Sequence, residues 1–566
     1  MLKNGIKAIC ISVFLLVSFN GSRGQKDYYT AGVFEIFQFQ DSSYSGSEII
    51  KKNLEKYAVA AGVASSHQVD IMVYPEEGLF PVVESVTSIQ DVAEDVPDPR
   101  TEETIPCDEQ DEFQNSPILR NLSCLAKEHK FYVVADLIDM KKCEVQSECN
   151  EYNADYCRTS EQECPENDLF FFNTLVAFNR QGTLIARYYK RHLYFEEGIS
   201  TPRIPKNVYF ETDFGKFTGD ICFDLFFIEA VEGADRPDVT ALSYPTWWYD
   251  HTPLMYFATP YQQAWSMTNK VNILAANVHY PRDGSLGSGI YSAVKGALVY
   301  THNPDGRSKL LISNVPISAT QIPKDISFDT KFYYIDDDKV TELQGEEPRD
   351  FSSECGFNVL GNASSSLIDY RCHQTEVHQY TFIKLNETKG DINICSNKFC
   401  CSLNYEAQSM DETFYFGVSG NRLNFYDTYL LGIQACFLAR CEPLNGEPCR
   451  NFLLKSNTIF ETVDIVGSFD TENIYPFVIN SEIRLADKDE WNFDGKSHLK
   501  YMNLNRKPLL FIGLNGRLYN RDKKLTGSNS KSNAILTRKI SLSVFLLPVL
   551  CYISLKLQEK FCKEMV

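Results

Sequence analysis

Cys222, Glu76 and Lys190 are the residues of this 566-residue chain whose types could together open an amide. An amide carbonyl is resonance-stabilised and its amine leaves poorly. Cleavage therefore needs a nucleophile, a group that takes and returns a proton, and a cation or N–H for the oxygen that turns negative. A thiol, a carboxylate and an ammonium cover those tasks. Read singly, each has an ordinary explanation. Glu76 stands in Val-Tyr-Pro-Glu-Glu-Gly after an apolar run, where a carboxylate commonly caps a helix. Lys190 lies in Ala-Arg-Tyr-Tyr-Lys-Arg-His-Leu-Tyr-Phe-Glu-Glu, and a charged strand end is usually just solvated. Cys222, in Gly-Asp-Ile-Cys-Phe-Asp-Leu-Phe-Phe, fits an inert core thiol equally well.

The cysteine count sets Cys222 apart. Of 18 cysteines, Cys10 falls in an apolar N-terminal leader and Cys551 and Cys562 in a C-terminal tail. Six others precede Cys222 (Cys107, Cys124, Cys143, Cys149, Cys157, Cys164) and eight follow it (Cys355, Cys372, Cys395, Cys400, Cys401, Cys436, Cys441, Cys449). In an oxidising compartment even sets pair, which predicts three disulfides before Cys222 and four after, with the pairing inside each set open. One thiol remains, and Cys222 is the best candidate. The cluster from Cys143 to Cys164 lacks the paired close spacing of a zinc site and reads as a disulfide-stapled loop.

In combination the three patterns say more. Pro-Glu76, then Tyr188-x-Lys190-x-x-Leu193-(aromatic), then Cys222-(aromatic)-Asp224 resembles the Glu-Lys-Cys signature of the nitrilase superfamily. Further segments look like the vanin/biotinidase branch: Glu94-Asp-Val-Pro-Asp-Pro99, Leu122-Ser-Cys-Leu-Ala-Lys127, Tyr132-Val-Val-Ala135, Ala264-Trp-Ser-Met267, Asn277-Val-His-Tyr-Pro281 and Gly287-Ser-Gly-Ile-Tyr291. The likeness runs over most of residues 27 to 525. It implies an α/β fold, a nitrilase-type α-β-β-α sandwich followed by a smaller, mostly β, disulfide-rich domain.

The resemblance also implies roles. Glu76 would take the Cys222 proton, the sulfur would attack the carbonyl, and Lys190 with the backbone N–H of Phe223 would hold the oxyanion; a thioester would follow and be hydrolysed. No metal and no organic cofactor is called for. A further glutamate often orients the water or the lysine, and Glu196 and Glu197 compete for that place. Trp248 resembles an aromatic bordering such sites, although core packing explains it as well. His279 reads as a structural histidine rather than a base. The implied substrate is a small linear amide, pantetheine split into pantothenate and cysteamine. The alternatives are a biotinidase-like hydrolase of biotin amides, to which Phe195-Glu196 is slightly closer, and a catalytically silent surface glycoprotein that keeps the fold.

The elements that must position these residues follow from periodicity. Runs at 69–74, 131–135, 169–179, 184–189, 218–222 and 271–276 read as strands, and 47–64 and 261–268 as helices, an α/β pattern. The acidic, Pro-containing stretch 91–112 reads as a solvated loop. From about Pro323 strand-like runs at 380–385, 414–418, 429–438 and 458–466 alternate with Gly, Asn and Asp turns. The expected domains are a catalytic one over 25–322 and a β-rich one over 323–525. There is no internal repeat or heptad pattern, and no signal for an oligomeric state.

The two ends point outside the cell. Residues 1–24 have the charged, apolar and cleavage-site order of a signal peptide. Residues 526–566 carry small residues at 527–530, a spacer and the apolar run 540–555, the order of a glycolipid-anchor signal. The alternative is a short transmembrane helix followed by Lys556, Lys560 and Lys563. Sequons at Asn121, Asn362 and Asn386 are expected glycan sites. A net charge of -20 repels nucleic acid and anionic lipid headgroups, which sets nucleic-acid partners aside.

Overall fold

Most apolar runs become strands where their periodicity places them. The computed structural model describes residues 27–80, 89–144, 146–158, 163–336, 339–349, 351, 370–373, 377–425 and 428–525. The expected leader (1–24), the tail (526–566), Asn362 and Cys355 lie outside the described residues. In chain order, β1 (Tyr28–Glu35), β2 (Ile71–Val73), β3 (Tyr132–Lys142), β4 (Leu169–Phe178) and β5 (Leu184–Tyr189) are followed by β6 (Val208–Thr212), β7 (Gly215–Gly219), β8 (Val239–Thr246) and β9 (Asn272–Asn277). Then come β10 (Ser288–Ser292), β11 (Gly296–Thr301), β12 (Ser308–Pro316), β13 (Lys331–Asp336) and β14 (Lys339–Glu342). They form an eight-stranded sheet of order β14-β13-β12-β1-β2-β3-β4-β5 and a six-stranded sheet of order β11-β10-β9-β8-β7-β6. The strands at each centre, β1-β2-β3 and β7-β8-β9, are parallel, and their neighbours are antiparallel.

Alternation along the strands builds the layers, since successive side chains leave opposite faces. Val134 of β3 packs with Phe217, Ala241 and Leu274 of the second sheet, between the sheets. Val133 and Ala135 point the other way, to Tyr57 and Ala60 of α1 (Gly46–Ser66) and Leu119 and Leu122 of α2 (Pro117–His129). On the far side, Leu242 and Ile273 meet Ala230 of α3 (Ile228–Ala234) and Tyr261 and Ala264 of α4 (Ala258–Asn269). The result is the expected α-β-β-α sandwich. Strands β13 and β14 add Lys331–Asp336 and Lys339–Glu342 to the first sheet, beyond residue 322, where the sequence reading ends the first domain.

Two local expectations need correction. The strand read over 218–222 stops at Gly219, and Cys222 instead opens a 3₁₀ turn, Cys222–Phe226, with φ 43. The stretch 91–112 is irregular but not solvated throughout. Val96 is buried, and the buried Glu94 carboxylate accepts the backbone N–H groups of Ile118 (2.6 Å) and Leu119 (2.8 Å), capping α2.

Beyond the first unit, a nine-stranded and a five-stranded sheet pack face to face around Leu403, Val463 and Leu499 on one side and Val418, Leu438 and Ile512 on the other. The Cys401–Cys436 disulfide ties one sheet to the other. The remaining pairs are Cys107–Cys124, Cys143–Cys164, Cys149–Cys157, Cys395–Cys400 and Cys441–Cys449, and Cys372 is also disulfide-bonded. Cys222 is the free cysteine among the described residues, and it is buried. Asn121 and Asn386 are exposed. No helix among the described residues is long and apolar enough to cross a membrane.

Candidate active site

Glu76, Lys190 and Cys222 each sit just past the C-terminal end of a strand, β2, β5 and β7, at one edge of the sandwich. Pro75-Glu76-Glu77 leaves β2 in a sharp turn: Glu77 has φ 47, a left-handed conformation that costs a non-glycine residue roughly 1–3 kcal/mol. The turn is pinned by the Glu77 N–H, which donates to the Asp136 carboxylate at 2.8 Å, and by the Glu77 carbonyl, which accepts from Gln38 Nε2 at 2.8 Å. Lys190 continues β5, and its N–H donates to the Asn173 carbonyl at 2.9 Å.

The side chains converge on one ammonium. Lys190 Nζ donates to Glu76 Oε1 at 2.6 Å and is also paired with Glu196. Asn173 Nδ2 reaches both carboxylates, Glu76 Oε1 at 2.8 Å and Glu196 Oε2 at 2.9 Å. The second Glu76 oxygen accepts the Trp247 backbone N–H at 2.7 Å. Lys190 is only 2% exposed. Burial opposes its charge, but Glu196 and Glu76 outweigh that and hold its pKa well above the lysine range. Burial and then the charge of Glu76 push the Cys222 thiol well up, against the pull of Lys190, so the resting sulfur is protonated and needs a base. Glu77 is pushed up to about 8 by burial, then by Glu196 and Glu76. Asp136 rises well above the carboxylate range for the same first reason, with Glu76 next.

The Cys222 turn is tied to the Lys190 strand by Asp224. Its carboxylate accepts Tyr188 Oη at 2.8 Å and the His192 N–H at 2.9 Å, residues two before and two after Lys190. Tyr244 Oη donates to the Cys222 carbonyl at 2.6 Å. The backbone N–H of Phe223 lies in the first turn of this short helix, where N–H groups have no intrahelical acceptor. A cavity of about 190 Å³ opens on Cys222, Lys190 and Glu76, walled by Tyr194, Phe195, Trp247 and Tyr249 with Glu77, Glu196 and Glu197.

The structure separates the pairs that the sequence left open. Glu196 is the glutamate bonded to Lys190, whereas Glu197 is an exposed residue of the cavity wall. Trp248 does not border the cavity and that expectation is corrected: its ring stacks on Phe226 with centroids 5.0 Å apart, its Nε1 donates to the Tyr256 carbonyl, and the neighbouring Trp247 faces the site instead. His279 is buried in a satisfied cluster. Its Nδ1 bonds Glu35 at 2.7 Å and its Nε2 accepts the Gly306 N–H at 3.1 Å, a structural arrangement. Asn173, Asp136 and Trp247 were missed from sequence. A lone amide in the apolar run Phe-Phe-Phe-Asn-Thr was the one available signal for Asn173. Among the described residues no group of three or more His, Cys, Asp or Glu is placed to hold a metal ion.

Comparison with known proteins extends these observations. Residues 44–299 match the carbon-nitrogen hydrolase profile and residues 370–522 the vanin C-terminal domain profile. Pantetheinase of Mus musculus is 30% identical over 509 residues, 89% of this chain and 90% of that protein. Biotinidase of Rattus norvegicus is 28% identical over 518 residues, 88% of this chain and 94% of its own length. Among solved structures, an amidase from Nesterenkonia sp. AN1 superposes on 52% of this chain and 92% of its own, at 15% identity and a TM-score of 0.37.

Proposed function

Because the chain belongs to the vanin family of carbon-nitrogen hydrolases, enzymes that act on amides, we propose that it cleaves pantetheine to pantothenate and cysteamine through Cys222, Glu76 and Lys190. Glu76 removes the Cys222 proton as the sulfur bonds to the amide carbon. The carbonyl oxygen, now negative, is held by the Lys190 ammonium and the Phe223 N–H. The C–N bond breaks as Glu76 returns its proton to the nitrogen, releasing the amine and leaving a thioester. Glu76 then takes a proton from water, the hydroxide adds to the thioester carbon, and the C–S bond breaks to release the acid as Glu76 passes that proton to the sulfur, restoring the thiol. Lys190 Nζ stays bonded to Glu76 Oε1, and Glu196, with Asn173 bridging the two carboxylates, keeps Lys190 aimed.

The observation that carries this reading is the buried Glu76–Lys190–Glu196 cluster at the floor of the cavity that Cys222 lines. A silent descendant has no reason to hold two carboxylates and an ammonium around an unpaired thiol. Phe195-Glu196 and the biotinidase likeness favour biotin amides as the second reading. Purified protein offered a chromogenic pantothenate amide and a biotin amide in parallel should turn over the first, and Cys222→Ala should abolish turnover. Hydrolysis of the biotin amide alone would reverse the choice of substrate. The disulfides support an extracellular location, and the order of segments in 526–566 supports a glycolipid anchor. Release from cells by a phosphatidylinositol-specific phospholipase is expected, and retention would favour a transmembrane tail.

A further inference from the structure

The turn that carries Cys222 is held from two sides, and the second side belongs to the C-terminal β unit. Phe226, the last residue of that turn, presents its carbonyl to Arg517 at the end of the strand Leu509–Arg517, and Arg517 Nη2 donates to it at 2.9 Å. The guanidinium is 1% exposed. Its other bonds go to the Gly432 carbonyl from Nη1 (2.6 Å) and to Asp522 from Nη2 (2.7 Å), and its Cζ lies 4.6 Å from the centre of the Tyr519 ring. Around this bond the rings of Phe223 and Phe227 meet those of Phe425 and Tyr429, with centroids 5.4 to 5.6 Å apart. Apolar packing alone would join the two units. A fully buried guanidinium carries a desolvation penalty that such packing does not, and of its three acceptors, two lie in its own unit while the third is the carbonyl that ends the Cys222 turn.

We infer that Arg517 is a positioning residue for Cys222: by fixing the Phe226 carbonyl, the C-terminal unit sets the pitch of the turn from which the Cys222 sulfur and the Phe223 N–H project. The inference rests on the reading of Cys222 as nucleophile. Oxyanion donors act only when held within a fraction of an ångström of the reacting oxygen, so loosening this turn slows chemistry more than it weakens substrate binding.

Arg517→Met keeps an apolar stem and removes the donors. It should lower kcat on the pantothenate amide by about tenfold or more while KM changes by less than about twofold. Arg517→Lys should fall in between, because a single ammonium cannot serve three acceptors as the planar fork does. Folded Arg517→Met protein with a lowered melting temperature but wild-type kcat would overturn the inference. If Arg517→Met does not fold, Arg517→Lys decides: reduced kcat at unchanged KM supports the assignment, and wild-type kcat refutes it. If the wild-type protein hydrolyses no amide, the functional reading fails first. The rate at which iodoacetamide labels Cys222 then tests Arg517 by itself: a changed rate in the variants supports the inference and equal rates end it.

Discussion

Lys190 is shared by two carboxylates, and this sharing divides the labour between adjacent glutamates. Glu196 bonds both Lys190 and Asn173, while Glu197 is an exposed residue of the cavity wall. Glu196→Gln should therefore reduce kcat by about tenfold or more, within the usual range for groups that orient catalytic residues, and Glu197→Gln should stay within about twofold. Steady-state kinetics on one amide checks both. Glu77 makes a different prediction. Its folded-state pKa of about 8 lies above that of an ordinary carboxylate, so the folded protein holds a proton that the unfolded chain gives up. That contribution to stability is complete below about pH 4.5 and is lost as pH rises towards about 8. The melting temperature should fall across that window and fall less steeply in Glu77→Gln. Asp136 and Asp220, raised in the same direction, leave a residual slope. Identical slopes in the two proteins would show that Glu77 ionises normally.

At the scale of elements, what could be read from sequence was whatever periodicity encodes. The strand Leu184–Tyr189 that delivers Lys190 and the helix Gly46–Ser66 were legible because their apolar positions recur at the spacing of one buried face. Backbone turns were not. Nothing in Gly-Asp-Ile-Cys-Phe announces that the chain leaves its strand at Gly219 and enters φ 43 at Cys222, since the cause is a set of distant partners, Tyr188, His192 and Tyr244. Trp247 and Trp248 were indistinguishable for a similar reason, as one step along the chain moves a side chain from cavity to core. Charge misled most at 91–112, where Glu94 is acidic and buried because a helix starting 23 residues later supplies its donors. Glu94→Ala should destabilise the protein by about 1–2 kcal/mol, the usual worth of a helix cap, as a lower urea midpoint. An unchanged midpoint would mean that α2 is capped adequately by solvent.

The whole molecule is two sandwiches that share a core. Phe226, Trp248 and Tyr261 from the first belong to one buried cluster with Phe425, Ile433 and Tyr475 from the second, so neither unit has a self-sufficient surface at the junction. The second sandwich is itself closed by Cys401–Cys436, a bridge between sheets 35 residues apart in sequence. Replacing both cysteines by serine should lower unfolding stability by about 3–4 kcal/mol, the loop-closure entropy restored to the unfolded chain. Because the junction transmits to the Cys222 turn, the loss should appear as thermal inactivation of amide cleavage at lower temperature, measured as residual activity after heating. Inactivation at the wild-type temperature would show that the second sandwich melts without disturbing the first.

The burial of the Cys222 sulfur has one more consequence. Thiol–disulfide exchange proceeds through an accessible thiolate, and Cys222 is 6% exposed, with burial and then Glu76 pushing its thiol pKa up. The environment that obliges Glu76 to serve as base therefore also slows attack of this sulfur on small disulfides. The disulfide of cysteamine, the product proposed here, is one such reagent, so the oxidised form of what the enzyme releases should cap Cys222 only slowly.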